Sequence, residues 1–259
     1  MKTAKWPFAI LAVFLFGQAQ AMDGVFDRSA EVAHYIEQIN NTPSQLAMIG
    51  ILKPIYVSGI SDEQLAHALG ERLLKDLPAI DDSRTSSQYG AWLVKVLGST
   101  GTEYARQVIT EVSQKTKVHR VLSACNDKLQ QIDWERRKDE IMASRKNFTE
   151  GGNMRVAQLL NLLQDPDFSY KENAAWRMSW EKELDPGLME EIARQLQTFV
   201  DKKGVTSDPA EISAMGNFAK MLGYSGDAKY RPLLAALYKS DANSAIKSQA
   251  KKAYERLGK

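Results

Sequence analysis

The chain has 259 residues, 44% hydrophobic and 25% charged, with 16 glycines, 8 prolines and a single cysteine. That composition excludes a disordered chain, a collagen and a disulfide-stapled miniprotein, and the length suffices to bury a sizeable apolar core. A formal charge of only +2 argues against nucleic acid as a partner, because a phosphate backbone demands a surplus of Lys and Arg.

Residues 1–21 place Lys2 and Lys5 before an apolar run at 9–16 and a small-residue end, Ala19-Gln20-Ala21. This is the pattern of a secretory signal peptide, with cleavage expected after Ala21. The run is about half of the roughly 20 residues needed to span a bilayer, which argues against an uncleaved anchor. No integral membrane span is expected in the mature chain. Met22 stands where a lipoprotein would present a cysteine, so the expected address is the periplasm of a Gram-negative cell. Loss of Lys2 and Lys5 leaves the mature chain neutral. Cys125 has no partner for an internal disulfide; it reads as a small buried apolar side chain, with a reactive thiol as the alternative.

Residues 22–60 show no repeat mark and are expected to form N-terminal capping helices. Within them, the apolar stretch at 47–60 is interrupted by Lys53-Pro54 and Gly59, which excludes one straight spanning helix. It is expected to cover the open end of a helical stack; a segment inserted into a partner is the alternative. Farther on, apolar residues recur at three- and four-residue spacing, as in Leu65, Leu69, Leu73 and Leu74, or Val156, Leu159, Leu160 and Leu163. Alternation with period two is scarcely found, so little or no sheet is expected. Helix starts are expected at Thr42-Pro43 with Gln45, Ser169 with Glu172, Asp185-Pro186 and Asp208-Pro209 with Glu211. Gly98 and Gly223 each follow a periodic run and are expected to close their helices in the left-handed conformation. The mixed charges at residues 134–140 read as a solvated helix face.

The chain also repeats itself. Lys95-Val96-Leu97-Gly98-Ser99-Thr100-Gly101 returns as Lys220-Met221-Leu222-Gly223-Tyr224-Ser225-Gly226. Upstream, Leu65, Leu69 and Leu73 match Ile192, Leu196 and Val200; downstream, Tyr104 matches Tyr230. Residues 83–131 are therefore expected to superpose on 208–258. A second mark sits at the helix after a turn: Leu163-Gln164-Asp165-Pro166-Asp167 leads to Tyr170-Lys171 with Ala174 and Ala175, while Ile246-Lys247 precedes Ala250 and Ala253, and Val118-His119 precedes Leu122 and Cys125. These marks resemble HEAT repeats of the short, phycobilin-lyase-associated type. The resemblance covers residues 61–259 and implies an all-α fold, a right-handed α-solenoid of stacked helix pairs; an irregular helical bundle is the alternative. Arg177 departs from the pattern, standing where a small inward residue is expected.

Motifs for catalysis are missing: there is no His-Glu-x-x-His, Gly-x-Ser-x-Gly, Walker loop or Gly-x-Gly-x-x-Gly. Two Ser-x-x-Lys matches at residues 244–251 lack companion motifs. Glu63, His67 and Glu71 share a helix face at metal-ligand spacing, but no second His or Cys stands nearby, and a solvated face is the preferred reading; no metal or cofactor is expected. Trp176 and Trp180 lie one turn apart. The spacing favours two anchors in a core, with a binding face as the alternative. Since HEAT-like relatives hold partners on a concave face, the resemblance implies a non-catalytic binding or scaffolding module for an envelope protein or peptide. Arg106, His119, Arg120, Trp176, Arg177 and Lys247 are its expected contacts. An enzyme, or an accessory subunit acting on a bound cofactor or envelope component, is the alternative.

Overall fold

In the computed structural model, which describes residues 24–258, three- and four-residue apolar spacing becomes helix throughout. The expected leader and its cleavage point lie outside the described residues. The helices are α1 (Ser29–Asn41), α2 (Gln45–Ser58), α3 (Glu63–Asp76), α4 (Arg84–Ser99), α5 (Glu103–Lys115), α6 (His119–Ala143), α7 (Met154–Leu163), α8 (Phe168–Glu181), α9 (Pro186–Asp201), α10 (Pro209–Ser225), α11 (Arg231–Lys239) and α12 (Ser244–Arg256). The fold is all-α. The described residues include no strand, only an isolated antiparallel bridge between Val25 and Ser144.

Side-chain caps set most starts. Asp185 and Asp208 accept from backbone N–H groups of α9 and α10, each with Pro at the first helical position, an arrangement worth about 1 kcal/mol per cap. Two expected starts shift. Ser44 rather than Thr42 caps α2, so Pro43 lies outside the helix. Asp167 rather than Ser169 caps α8, which frees the Ser169 hydroxyl to accept from Trp134 Nε1 at 2.8 Å. Pro54 does not end α2; it lies inside the helix, four residues before its end.

Packing follows a regular scheme. Helices pair consecutively, α1 with α2 through α11 with α12. The odd helices touch in the orders α1–α3–α5 and α7–α9–α11, and the even ones in the orders α2–α4–α6 and α8–α10–α12. The duplicated string shows in this scheme, because α3 to α6 contact one another as α9 to α12 do. All three turn-following marks open even helices, with Cys125, Ala174, Ala175, Ala250 and Ala253 buried. The intervals between the marks are unequal because the 25-residue α6 occupies the first and the unmarked α10 lies within the second.

The two glycines of the string play different parts from those expected. Gly98 and Gly223 lie inside α4 and α10, and the left-handed residues are Gly101 and Gly226, three positions later. A Cβ on Gly98 would come within 2.8 Å of the Lys128 side chain, and one on Gly223 within 2.8 Å of the Ala253 Cα. The first glycine of each string therefore admits the neighbouring even helix, and the second makes the turn.

Two clusters of buried apolar side chains fill the interior, one from Val32 to Ile132 and one from Ile141 to Ala253. The stretch of α6 between them carries Glu135, Lys138 and Asp139, each at most 2% exposed. The expected solvated face at 134–140 is thus half wrong. Arg137 and Glu140 are exposed, but the opposite side of α6 is covered where the two cores meet.

Candidate functional site

Helix periodicity brings Arg84, Gln88, Trp92 and Lys95 to one side of α4. Facing them across a cleft are His119, Arg120, Ser123 and Asp127 of α6, around a cavity of about 490 Å³. A second cavity of about 360 Å³ shares Trp92, Lys95, Ala124 and Asp127 with the first and adds Lys53 and Tyr56 of α2, Lys128 and Gln131 of α6, and Trp176 and Trp180 of α8. One continuous groove therefore crosses four even helices.

Aromatic rings form its floor. Trp176 and Trp180 stack at 5.8 Å, and Tyr56 meets both Trp176 and Trp92 edge-on, at 6.3 and 5.9 Å. Such pairs contribute roughly 0.5–1.5 kcal/mol beyond area burial. Even so, Trp176 and Trp180 remain 40% and 56% exposed. The preference for two core anchors is overturned: the core of α8 is made instead by Tyr170, Ala174, Ala175, Arg177 and Met178.

Cations border the aromatics. Lys53, Arg84, Lys95 and Arg120 are exposed and form no ion pair among the described residues. Lys95 Nζ lies 5.7 Å from the Trp92 ring and Lys128 Nζ lies 5.2 Å from Tyr56. Beneath the groove the charges are paired. Buried Glu135 accepts from both Lys128 and Lys138. Burial pulls the Lys128 ammonium down, but Glu135 and Tyr56 together outweigh it and hold its pKa above the ordinary lysine value. Burial likewise pushes Glu135 up, while the two lysines outweigh it and hold that carboxyl low. Asp139 fares differently: Lys138 Nζ stands 3.1 Å from Oδ1, yet neither oxygen accepts a well-formed hydrogen bond. Burial raises its pKa to about 6, against the opposing pull of Lys138.

Of the residues expected to meet a partner, His119, Arg120 and Trp176 gather in the groove. Arg177 does not. It is 1% exposed, with Nε donating to Asn173 Oδ1 at 2.7 Å and Nη1 donating to the Val57 carbonyl. An inward arginine is tolerable there because Nε and Nη1 find acceptors and Asp139 and Glu135 lie close enough to act on its charge. Arg106 lies apart on α5, paired with Glu103 and Asp133, and Lys247 lies on α12. Sequence reading missed Trp92, Lys95 and Tyr56. The i, i+3 spacing of Trp92 and Lys95, the latter opening the duplicated glycine string, was the available signal; nothing local marks Tyr56.

His67 stacks on Tyr104 at 3.7 Å, and no group of three or more His, Cys, Asp or Glu among the described residues could hold a metal ion. Cys125 is buried and its thiol is pushed up to about 12 by burial, which makes it a poor nucleophile. No described helix is long and apolar enough to cross a membrane. Compared with protein-family models, curated proteins and solved structures, the chain matches none.

Proposed function

We propose that the chain is an exported, periplasmic binding module without catalytic activity, built as a right-handed α-solenoid of helix pairs similar to HEAT repeats, which holds an envelope protein or peptide in the groove across α2, α4, α6 and α8. The observation that carries this reading is the Trp176–Trp180 stack, left largely open beside exposed cations that have no ion pair among the described residues. Large apolar rings with solvent access are costly to leave uncovered and are enriched where a partner binds. Supporting the solenoid are the consecutive helix pairs, the like-on-like contacts of odd and even helices, and the small residues turned inward at three even helices.

The alternative of an enzyme or accessory subunit draws on the ionised side chains under the groove. Lys128 is the member that reaches it, and its ammonium is held charged by Glu135; a nucleophilic or basic lysine needs a depressed pKa. The cluster is better read as a structural support. Crosslinking pull-downs from envelope extract test the proposal. A partner recovered by residues 22–259 should be lost with the Trp176→Ala/Trp180→Ala variant while that variant remains cooperatively folded at the temperature of the assay. Equal recovery by both proteins would reject the groove.

A further inference from the structure

Resting on the groove reading above, we propose that the occupant is an acidic peptide segment carrying an aromatic or large aliphatic anchor. The argument is charge complementarity joined to an open ring. Lys53, Arg84, Lys95 and Arg120 come from three different helices, are all exposed, and have no carboxylate partner among the described residues. Asp127 is the one carboxylate lining either cavity. Among the described residues these cations are uncompensated, although Lys and Arg are nearly balanced by Asp and Glu in the chain as a whole. A segment with several Asp or Glu would neutralise them, and like charge would repel a basic one.

The rings supply the second requirement. Trp180 is packed on one side by Trp176 and is more than half open, so an apolar side chain can cover its free surface while flanking acids reach Lys53 and Lys95. Nucleic acid fits less well. Single-strand binding uses a basic track along the backbone with rings spaced to receive successive bases, whereas here the two indoles stack on each other and the chain as a whole has almost no basic surplus.

The test is selection from a phage-displayed dodecapeptide library on immobilised residues 22–259, followed by affinity measurement with synthetic copies of the recovered peptides. The expected peptides carry an acidic excess around Trp, Tyr, Phe or Leu. They should bind the Lys95→Glu/Arg120→Glu variant and the Trp180→Ala variant about tenfold or more weakly, both variants remaining cooperatively folded at the temperature of the assay. Should Lys95→Glu/Arg120→Glu fail to fold, Lys53→Glu serves in its place. Recovered peptides that depend on Trp180 but are neutral or basic would overturn the acidic assignment and leave the groove standing. Recovery of no peptide that depends on Trp180 would overturn both. Competition by oligothymidylate or heparin equal to that by the selected peptide would also overturn the assignment, reducing the site to a general polyanion surface.

Discussion

Arg177 on α8 donates through Nη1 to the carbonyl oxygen of Val57 on α2, a residue 120 positions earlier. Helix α2 ends at Ser58, so Val57 and Ser58 carry two of the carbonyls that a helix leaves without internal partners. Arg28 takes the other, at 2.8 Å from the Ser58 oxygen. Two guanidinium groups thus cap one helix C-terminus, where the macrodipole favours positive charge, and the cap fastens α8 to the N-terminal half.

Removing that cap leaves a cavity and an unpaired carbonyl. Arg177→Ala is expected to lower stability by about 3 kcal/mol or more, the range for breaking a buried charged contact, as read by urea denaturation. This reverses the expectation from sequence that the residue is a partner contact on the concave face. A thermal midpoint within a few degrees of wild type would contradict the burial described above.

Asp139 predicts a pH dependence. Its folded pKa, near 6, lies above the ordinary aspartate value of 3.8 because burial penalises the charged form. At neutral pH the native state carries that penalty. As pH falls through about 6 the native carboxyl takes up a proton before the unfolded one does, so this group makes stability rise by about 1 kcal/mol between pH 7 and 5, and by up to about 3 kcal/mol once the pH is below the unfolded value of 3.8. Asp139→Asn should flatten the slope and be the more stable protein at pH 7. Equal slopes for the two proteins in denaturation series at pH 7, 6 and 5 would refute the assignment.

The four glycines of the duplicated string should rank by what surrounds them. Gly226 has positive φ but open space, so Gly226→Ala is expected to cost only about 1 kcal/mol. Gly101 combines positive φ with an approach of 2.6 Å between an added Cβ and the Arg136 backbone, and its alanine variant should lose more. Gly223→Ala meets the Ala253 Cβ and Cα at 2.7 and 2.8 Å, and Gly98→Ala meets Cβ and Cγ of the buried Lys128 at 2.8 and 2.9 Å, so both should cost more than Gly226→Ala. Chemical denaturation of all four variants checks the order.

Exposure makes the indoles separable from stability. Trp176→Ala and Trp180→Ala are each expected to cost at most about 1–2 kcal/mol, short of the 3–5 kcal/mol of a core tryptophan. Larger losses in calorimetry would return both rings to the core.

Helix identity and several boundaries were legible in the sequence because they depend on local chemistry: apolar spacing, and Asp-Pro starts at residues 185 and 208. The duplicated string was legible too, but not which of its glycines would turn, since Gly98 and Gly223 answer to α6 and α12 rather than to their own helices. The fate of Arg177 and of residues 134–140 was hidden for the same reason. Whether a charge faces solvent or a seam depends on what α2 and α8 lay over it. The groove was partly legible, through His119, Arg120 and Trp176, whereas Tyr56 joins Trp176 only after 120 residues have folded between them.

Photocrosslinking from single positions tests the groove most directly. A benzoyl-phenylalanine placed at Gln88 or Gln131, which line the two cavities, is compared with one at Leu46 or Val205, exposed at 70% and 73% outside both. In cells producing the protein, irradiation should give one discrete adduct from positions 88 and 131 and none from 46 and 205. Adducts arising equally from all four positions, or from 46 and 205 alone, would contradict a binding groove across α2, α4, α6 and α8.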